Sequence, residues 1–403
     1  MHRILTLFAC LLLSQTATAE TETQFIKYRN YLIPLTTEVI PDVACEFREI
    51  PADAEVQDAG NARVIITSDM AGADNAGRYD PDDIQSLAHA ITFSDKLDIE
   101  GIISTATRRR NNNVNEALAN QQSALRINNM INAYQQDLPR LDNIGGDFPS
   151  PTQLRNTVVG GTQFRYNIDT QARPVNDESV TYQNDAVAHI IKRARCGWFV
   201  EDDQRPLYVL SWGASVDFAQ AVASAPDIKR VVRFVSYSFV NDGGFDGRFD
   251  DPTCSLRTSS AYECQSWSYL RTQLDLWWVD YVGHPLPLAN CDSGTLSAIR
   301  SGGFIGTQVI PNGPTFSGLT GEAERCVLNQ QLIDWLKIGD SITTAFVLNP
   351  ASQRNNPAGG TNFGRYIRPD SNRTYWVLTV DGQGGFNGIT TLYGDWVNRA
   401  NAL

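Results

Sequence analysis

The stretch RVIITSDMAGADNAGRYDPDDIQSL, residues 63–87, sets Asp69 directly behind a β-branched run and places Asp80, Asp82 and Asp83 around the proline of a helix-like segment. Part of this is ordinary helix chemistry. Asp80 suits an N-cap, Pro81 the first helical position, and Asp82 and Asp83 the positive end of the helix dipole. Capping does not account for Asp69, which leaves the preceding strand toward the same helix terminus. Carboxylates converging at a strand end repel one another unless a cation intervenes, and an all-oxygen donor set selects a hard ion, calcium before magnesium.

The elements that must position these groups follow from hydrophobic periodicity. Strands are expected at 63–67, 99–105, 207–211 and 231–236, and helices at 81–94, 113–134, 185–194 and 214–223. Strand and helix in alternation predict an α/β fold, a mostly parallel central sheet flanked by helices on both faces. Residues 267–281 and 328–348 read as further helices, and the Gly/Asn/Pro-rich stretches 149–174, 241–260 and 349–370 as long loops. With no internal repeat and no clean linker, residues 20–403 are expected to form a single domain. Ligands of open α/β sheets sit at the carboxyl ends of the strands. That rule singles out Asp69, the 111–113 asparagines with Asn112 at their centre, Trp212 in the turn after the third strand, and Asn241 and Asp242 beyond the fourth.

Composition narrows the class. The chain has 403 residues, 42% hydrophobic and 19% charged, enough apolar material for a large core. Its net charge of −12 repels phosphate backbones, which argues against nucleic-acid partners. The N-terminus reads as a secretory signal, with the basic MHR, the apolar ILTLFACLLL and small residues before a cleavage site after Ala19. The LFAC tetrapeptide superficially suggests lipidation, but the apolar run continues past it. No later segment has the ~20 apolar residues of a membrane span. Export to a secreted or periplasmic location makes the six remaining cysteines candidates for disulfides rather than for thiol chemistry or zinc. Fifteen pairings are possible, and Cys254 with Cys264 is favoured because the short loop between them needs a tie.

Several of these stretches together resemble a known family. SDM, a loop and PDDIQSL, followed by LDIEGIISTAT, are similar to the nucleoside-hydrolase fold, whose first strand ends in an Asp-rich calcium-binding loop. The similarity is closer to its secreted nucleoside-hydrolase-like branch, which includes proteins described as cellulose-binding. YVLSWGASVDFAQAV resembles the third strand and following helix of that branch, and LKIGDSITTAFVL its late calcium-binding segment. The resemblance covers about residues 63–393. It implies Asp69 as general base and metal ligand, Asp83 and Asp340 as further calcium ligands, Asp82 as a sugar-hydroxyl partner, and a backbone carbonyl near Trp212 as another ligand. The implied activity is calcium-assisted hydrolysis of N-ribosyl or related glycosidic bonds, with a nucleoside or glycan as substrate.

This sequence departs from the family pattern at three places. Thr67 stands where the family carries an Asp two residues before the base, AGADNAGRY is inserted ahead of the aspartate pair, and Gly339 replaces the histidine that assists departure of the base. His89 shares a helix face with Asp82 but lies seven residues deeper, about 10 Å by helical rise, and reads as a core residue. Without a placed acid a nucleobase is hard to expel, so a non-catalytic carbohydrate-binding protein on the same fold is the competing expectation. Aromatic rings stack on sugars; Trp212 is the candidate for that role. The cluster Trp267, Tyr269, Trp277, Trp278 and Tyr281 reads more simply as a buried helix face, and 108–113, RRRNNN, as either a sugar-bonding or a solvated loop.

Overall fold

The computed structural model of the protein describes residues 24–28, 31–35, 45–68, 70, 81–105, 116–161, 185–213, 215–236, 261–281, 289–290, 326–328, 331–333, 336–337, 340–361, 366–368, 374–378 and 395–399. Met1–Arg48 and Glu49–Leu403 are two compact units. The first contains an antiparallel hairpin of β1 (Gln24–Tyr28) and β2 (Tyr31–Leu35), in register from Gln24↔Leu35 to Tyr28↔Tyr31. The expected leader, residues 1–19, lies outside the described residues.

The second unit opens with β3 (Ala62–Ser68), α1 (Pro81–Thr92), β4 (Leu97–Ser104), α2 (Glu116–Leu141), α3 (Pro151–Asn156) and β5 (Val158–Gly160). It continues through α4 (Asp185–Phe199), β6 (Leu207–Ser211), α5 (Val216–Ser224), β7 (Val232–Ser236), α6 (Ala261–Thr272) and β8 (Trp277–Tyr281). Short strands β9 (Ala289–Asn290), β10 (Cys326–Leu328), β11 (Gln331–Ile333) and β12 (Leu336–Lys337) follow. Then come α7 (Ser341–Val347), α8 (Ala351–Arg354), β13 (Tyr366–Ile367) and β14 (Tyr375–Leu378). The central sheet runs β13-β14-β8-β7-β6-β3-β4-β5, parallel throughout except for β13 at one edge.

Strand alternation divides the core in two. Val64, Ile66, Tyr208, Leu210 and Val279 face α1, α2 and α7, whereas Ile65, Val209, Phe234 and Trp278 face α4, α5 and α6. All seven residues of β3 are buried, as expected for a strand covered by helices on both sides. The four expected strands and the four helices near them all form, with ends moved by a few residues.

Two expected helices do not. Residues 267–281 are the end of α6 followed by β8, because WWVDY is inserted between β7 and β14, and a short apolar run buried on both faces reads alike as strand or helix. Among the described residues of 328–348 only α7 is helical, and those before it contribute to β10, β11 and β12. Cys45 and Cys196 are each disulfide-bonded. Cys254 and the side chain of Cys264 lie outside the described residues, as does the expected loop 241–260; the other two expected loops instead hold regular elements, α3 and β5 within 149–174 and α8 and β13 within 349–370.

Candidate functional site at the carboxyl edge of the sheet

The strand ends are knitted together by backbone bonds that continue past the ladder. Thr105 N donates to Ser68 O (2.9 Å), Gly161 N to Ser104 O (2.7 Å) and Trp212 N to Thr67 O (3.0 Å), so β3, β4, β5 and β6 terminate as one rigid edge. Thr67, where the family pattern has a carboxylate, donates its hydroxyl to Leu210 O within the sheet (3.3 Å). Gly161 is required by close approach, because a Cβ there would stand 2.5 Å from Ser104 O and 3.0 Å from Asp217 Oδ2.

Two of the expected metal ligands are described at this edge. Asp83, in the first turn of α1, is 1% exposed, and Ser68 Oγ donates to its Oδ1 at 2.7 Å. Asp340, 3% exposed, stands at the N-cap position of α7 yet makes no side-chain capping bond, which removes the plain helix-cap account of it. The helices α1 and α7 pack against each other. Asp82 lies in the first turn of α1, with its side chain outside the described residues. Asp69, Asn112, Asn241 and Asp242 are also outside the described residues.

Trp212 is placed otherwise than its stacking role requires. Its ring is 1% exposed and belongs to the core cluster under α1, α2 and α7. Nε1 donates to Thr343 Oγ1 (2.6 Å), and that hydroxyl donates in turn to Asp340 O (2.8 Å). A tryptophan in a strand-end turn satisfies the positional rule for ligand contact, but an indole of this size is also the cheapest means of filling the space between a strand end and a packed helix. The aromatic group at 267–281 is likewise interior: Trp267 meets Trp278 edge-on at 5.8 Å, and Tyr281 is buried on the opposite face.

Asp280 and Asp217 are buried carboxylates at the same edge that sequence reasoning did not single out. Asp280 accepts from Ser236 Oγ (2.6 Å) and Tyr375 OH (2.9 Å), while Trp278 Nε1 donates to Ser236 Oγ (2.7 Å). An acid inside the aromatic run WWVDY was the available signal, hidden once that run was read as a helix. Neither described histidine offers an acid to the edge. His89 is fully buried against Phe93 and Trp396, and burial, reinforced by the Arg399 charge, lowers its pKa to about 3. His189 is also pushed down, chiefly by burial, although Glu100 O holds its Nε2 at 2.8 Å.

Among the described residues no group of three or more His, Cys, Asp or Glu side chains forms a metal cage. The donors that are described, two buried carboxylates at the starts of neighbouring helices and the hydroxyl of Ser68, are nevertheless hard oxygen groups of the kind calcium takes. Asp83 and Asp340 thus carry the donor chemistry that a hard cation takes.

Comparison with known proteins follows the same lines. Residues 63–238 match the family model described as cellulose-binding Sde182, nucleoside hydrolase-like domain. Among solved structures, a nucleoside hydrolase-related protein from Saccharophagus degradans, described as associated with carbohydrate metabolism, aligns with a TM-score of 0.55 at 20% identity, covering 85% of this chain and 72% of that one. A plant nucleoside hydrolase aligns at 11% identity with a TM-score of 0.41, covering 85% and 99%. No curated protein matches the sequence. Residues 63–238 thus resemble the nucleoside hydrolase-like domain of that cellulose-binding family, and they lie in a mostly parallel α/β sheet.

Proposed function

We propose that the carboxyl edge of the sheet is a calcium-assisted sugar site and that the chain is a secreted glycosyl hydrolase of N-ribosyl or related glycosidic bonds. The observation that carries this reading is the pair of buried carboxylates, Asp83 held by Ser68 and Asp340 at the start of the adjoining helix. A calcium ion held there would supply positive charge to polarise the sugar hydroxyls beside the anomeric centre. Asp83, Asp340, Asp69 and the carbonyl of Trp212 are the residues assigned to hold it. Asp69 takes the proton of the attacking water, Asp82 accepts from a sugar hydroxyl, and Asn112, Asn241 and Asp242 contact the substrate. Attack on the anomeric carbon passes through an oxocarbenium-like transition state. The disulfide-bonded Cys45 and Cys196, with the leader-like residues 1–19, support an oxidising destination outside the cytoplasm. Among the described residues no helix is long and apolar enough to cross a membrane.

A second reading, a carbohydrate-binding protein that retains the fold without the reaction, is favoured by the state of His89. A buried neutral imidazole with a pKa near 3 does not protonate a leaving group at neutral pH. The deciding experiment screens the purified protein against nucleosides and plant-type oligosaccharides, with calcium and with chelator, alongside Asp69→Asn. Hydrolysis is expected to need calcium, and the variant to keep sugar binding while turnover falls by about 10² to 10⁴. Undiminished turnover by Asp69→Asn overturns the base assignment; glycan retention with no turnover by the unmutated protein makes it a binder.

A further inference from the structure

The α7 helix, only seven residues long, is too short to hold its place by helix propensity, so the location of Asp340 depends on what ties its first turn to the sheet. A continuous hydrogen-bonded path does this. Thr67 O, in β3, accepts from Trp212 N (3.0 Å); the Trp212 indole donates to Thr343 Oγ1 (2.6 Å); and the Thr343 hydroxyl donates to Asp340 O (2.8 Å). Thr343 N adds a second bond to Asp340 O at 3.0 Å. The Thr343 hydroxyl has one proton and spends it on Asp340, which leaves its lone pairs to receive the indole. All three side chains are buried, with no described alternative partner for the indole. The far end of the helix is held separately, by Arg354 donating to Val347 O (3.1 Å) and Asn349 O (2.7 Å).

We infer that Trp212 and Thr343 are positioning residues, a buried pin that registers Asp340 against the end of β3, where Ser68 holds Asp83. The functional consequence rests on the calcium-site reading above; the geometric one does not. Trp212 acts through Thr343, and its ring fills space while its N–H sets direction. Thr343→Val removes the hydroxyl at nearly constant volume, Thr343→Ser keeps it, and Trp212→Phe removes the indole donor while retaining an aromatic ring.

The test combines amide hydrogen exchange over 340–347 with calcium titration and thermal melting of the full chain. Thr343→Val and Trp212→Phe are expected to speed exchange in that segment by about tenfold relative to β6, and to weaken calcium binding by a similar factor, the usual weight of one buried hydrogen bond. Thr343→Ser restores both. Wild-type exchange in Thr343→Val, or a rise spread evenly over the molecule, overturns the pin. If the unmutated protein binds no calcium, the calcium reading fails and exchange alone decides the pin: a local rise reversed by serine supports it, and no local rise overturns it. Should Thr343→Val not fold, Trp212→Phe carries the same comparison.

Discussion

His89, read from the sequence as a core residue, is held in the core as a neutral imidazole. Its ring meets Phe93 at 5.0 Å and Trp396 at 5.1 Å, and both ring nitrogens are buried without a hydrogen-bond partner. The charge of Arg399, itself paired with Asp95 at 2.6 Å, also acts on the ring. Burial first and Arg399 second lower the pKa from 6.5 to about 3. The folded state thus refuses a proton that the unfolded chain accepts below 6.5. Stability is fully present above that pH and is lost as pH falls toward 3, by up to about 1.4 kcal/mol per pH unit. His89→Leu removes this term, so denaturant titrations at pH 7 and pH 4 should show a smaller loss for the variant by about 3 kcal/mol. Parallel losses in the two proteins would mean that the imidazole is not held neutral.

The α4 helix and β3 are locked together by an arrangement with no room to spare. Arg63, at the start of β3, donates to Glu100 at 2.6 and 3.0 Å, to Arg205 O at 3.1 Å and to Arg193 O at 3.0 Å. A Cβ on Gly197 of α4 would stand 2.2 Å from its Nη2 and 2.6 Å from Cζ. Helix propensity alone favours Gly197→Ala by about 1 kcal/mol. Overpacking against a guanidinium held at four points costs about 1–3 kcal/mol, so the substitution is expected to lower Tm rather than raise it. A melting scan reads the sign directly, and a raised Tm would show that Arg63 yields.

Across the whole second unit, the amino edge of the sheet is closed by one carboxylate. Asp58 accepts from Tyr208 OH (2.7 Å), Arg233 Nη1 (3.2 Å) and Arg354 Nε and Nη2 (3.0 and 2.6 Å), joining the segment before β3 to β6, β7 and α8. Its side chain is 1% exposed and that of Arg354 3%. Removing one charge from such a buried group leaves the guanidinium ions uncompensated, at a cost of about 3–5 kcal/mol. Asp58→Asn is therefore expected to lower the denaturant midpoint strongly and for the whole unit at once. A loss confined to α8, seen as local exchange with an unchanged midpoint, would restrict the clasp to that helix.

Local periodicity was sufficient for β3, β4, β6, β7 and for α1, α2, α4 and α5, because parallel strands and amphipathic helices write their burial into adjacent residues; it missed α3 and β5 in a stretch read as loop. The strand-end rule pointed to Asp69, Asn112, Trp212, Asn241 and Asp242, whereas Asp83 came from the acidic start of a helix and Asp340 from the family resemblance. Periodicity misread β8, since WWVDY lies between two strands and is buried on both faces, a fact held in β7 and β14 rather than in the run itself. The roles of Trp212, Thr343 and Asp58 were also outside its reach. The first two are bonded across 131 residues, and Asp58 meets Arg354 across 296. What the sequence determined alone was the type of the strands β3, β4, β6 and β7 and of the helices α1, α2, α4 and α5, and the chemistry of the groups at their ends; which of those groups hold another in place was decided by tertiary packing, because burial and hydrogen-bond partners are properties of neighbours distant in the chain.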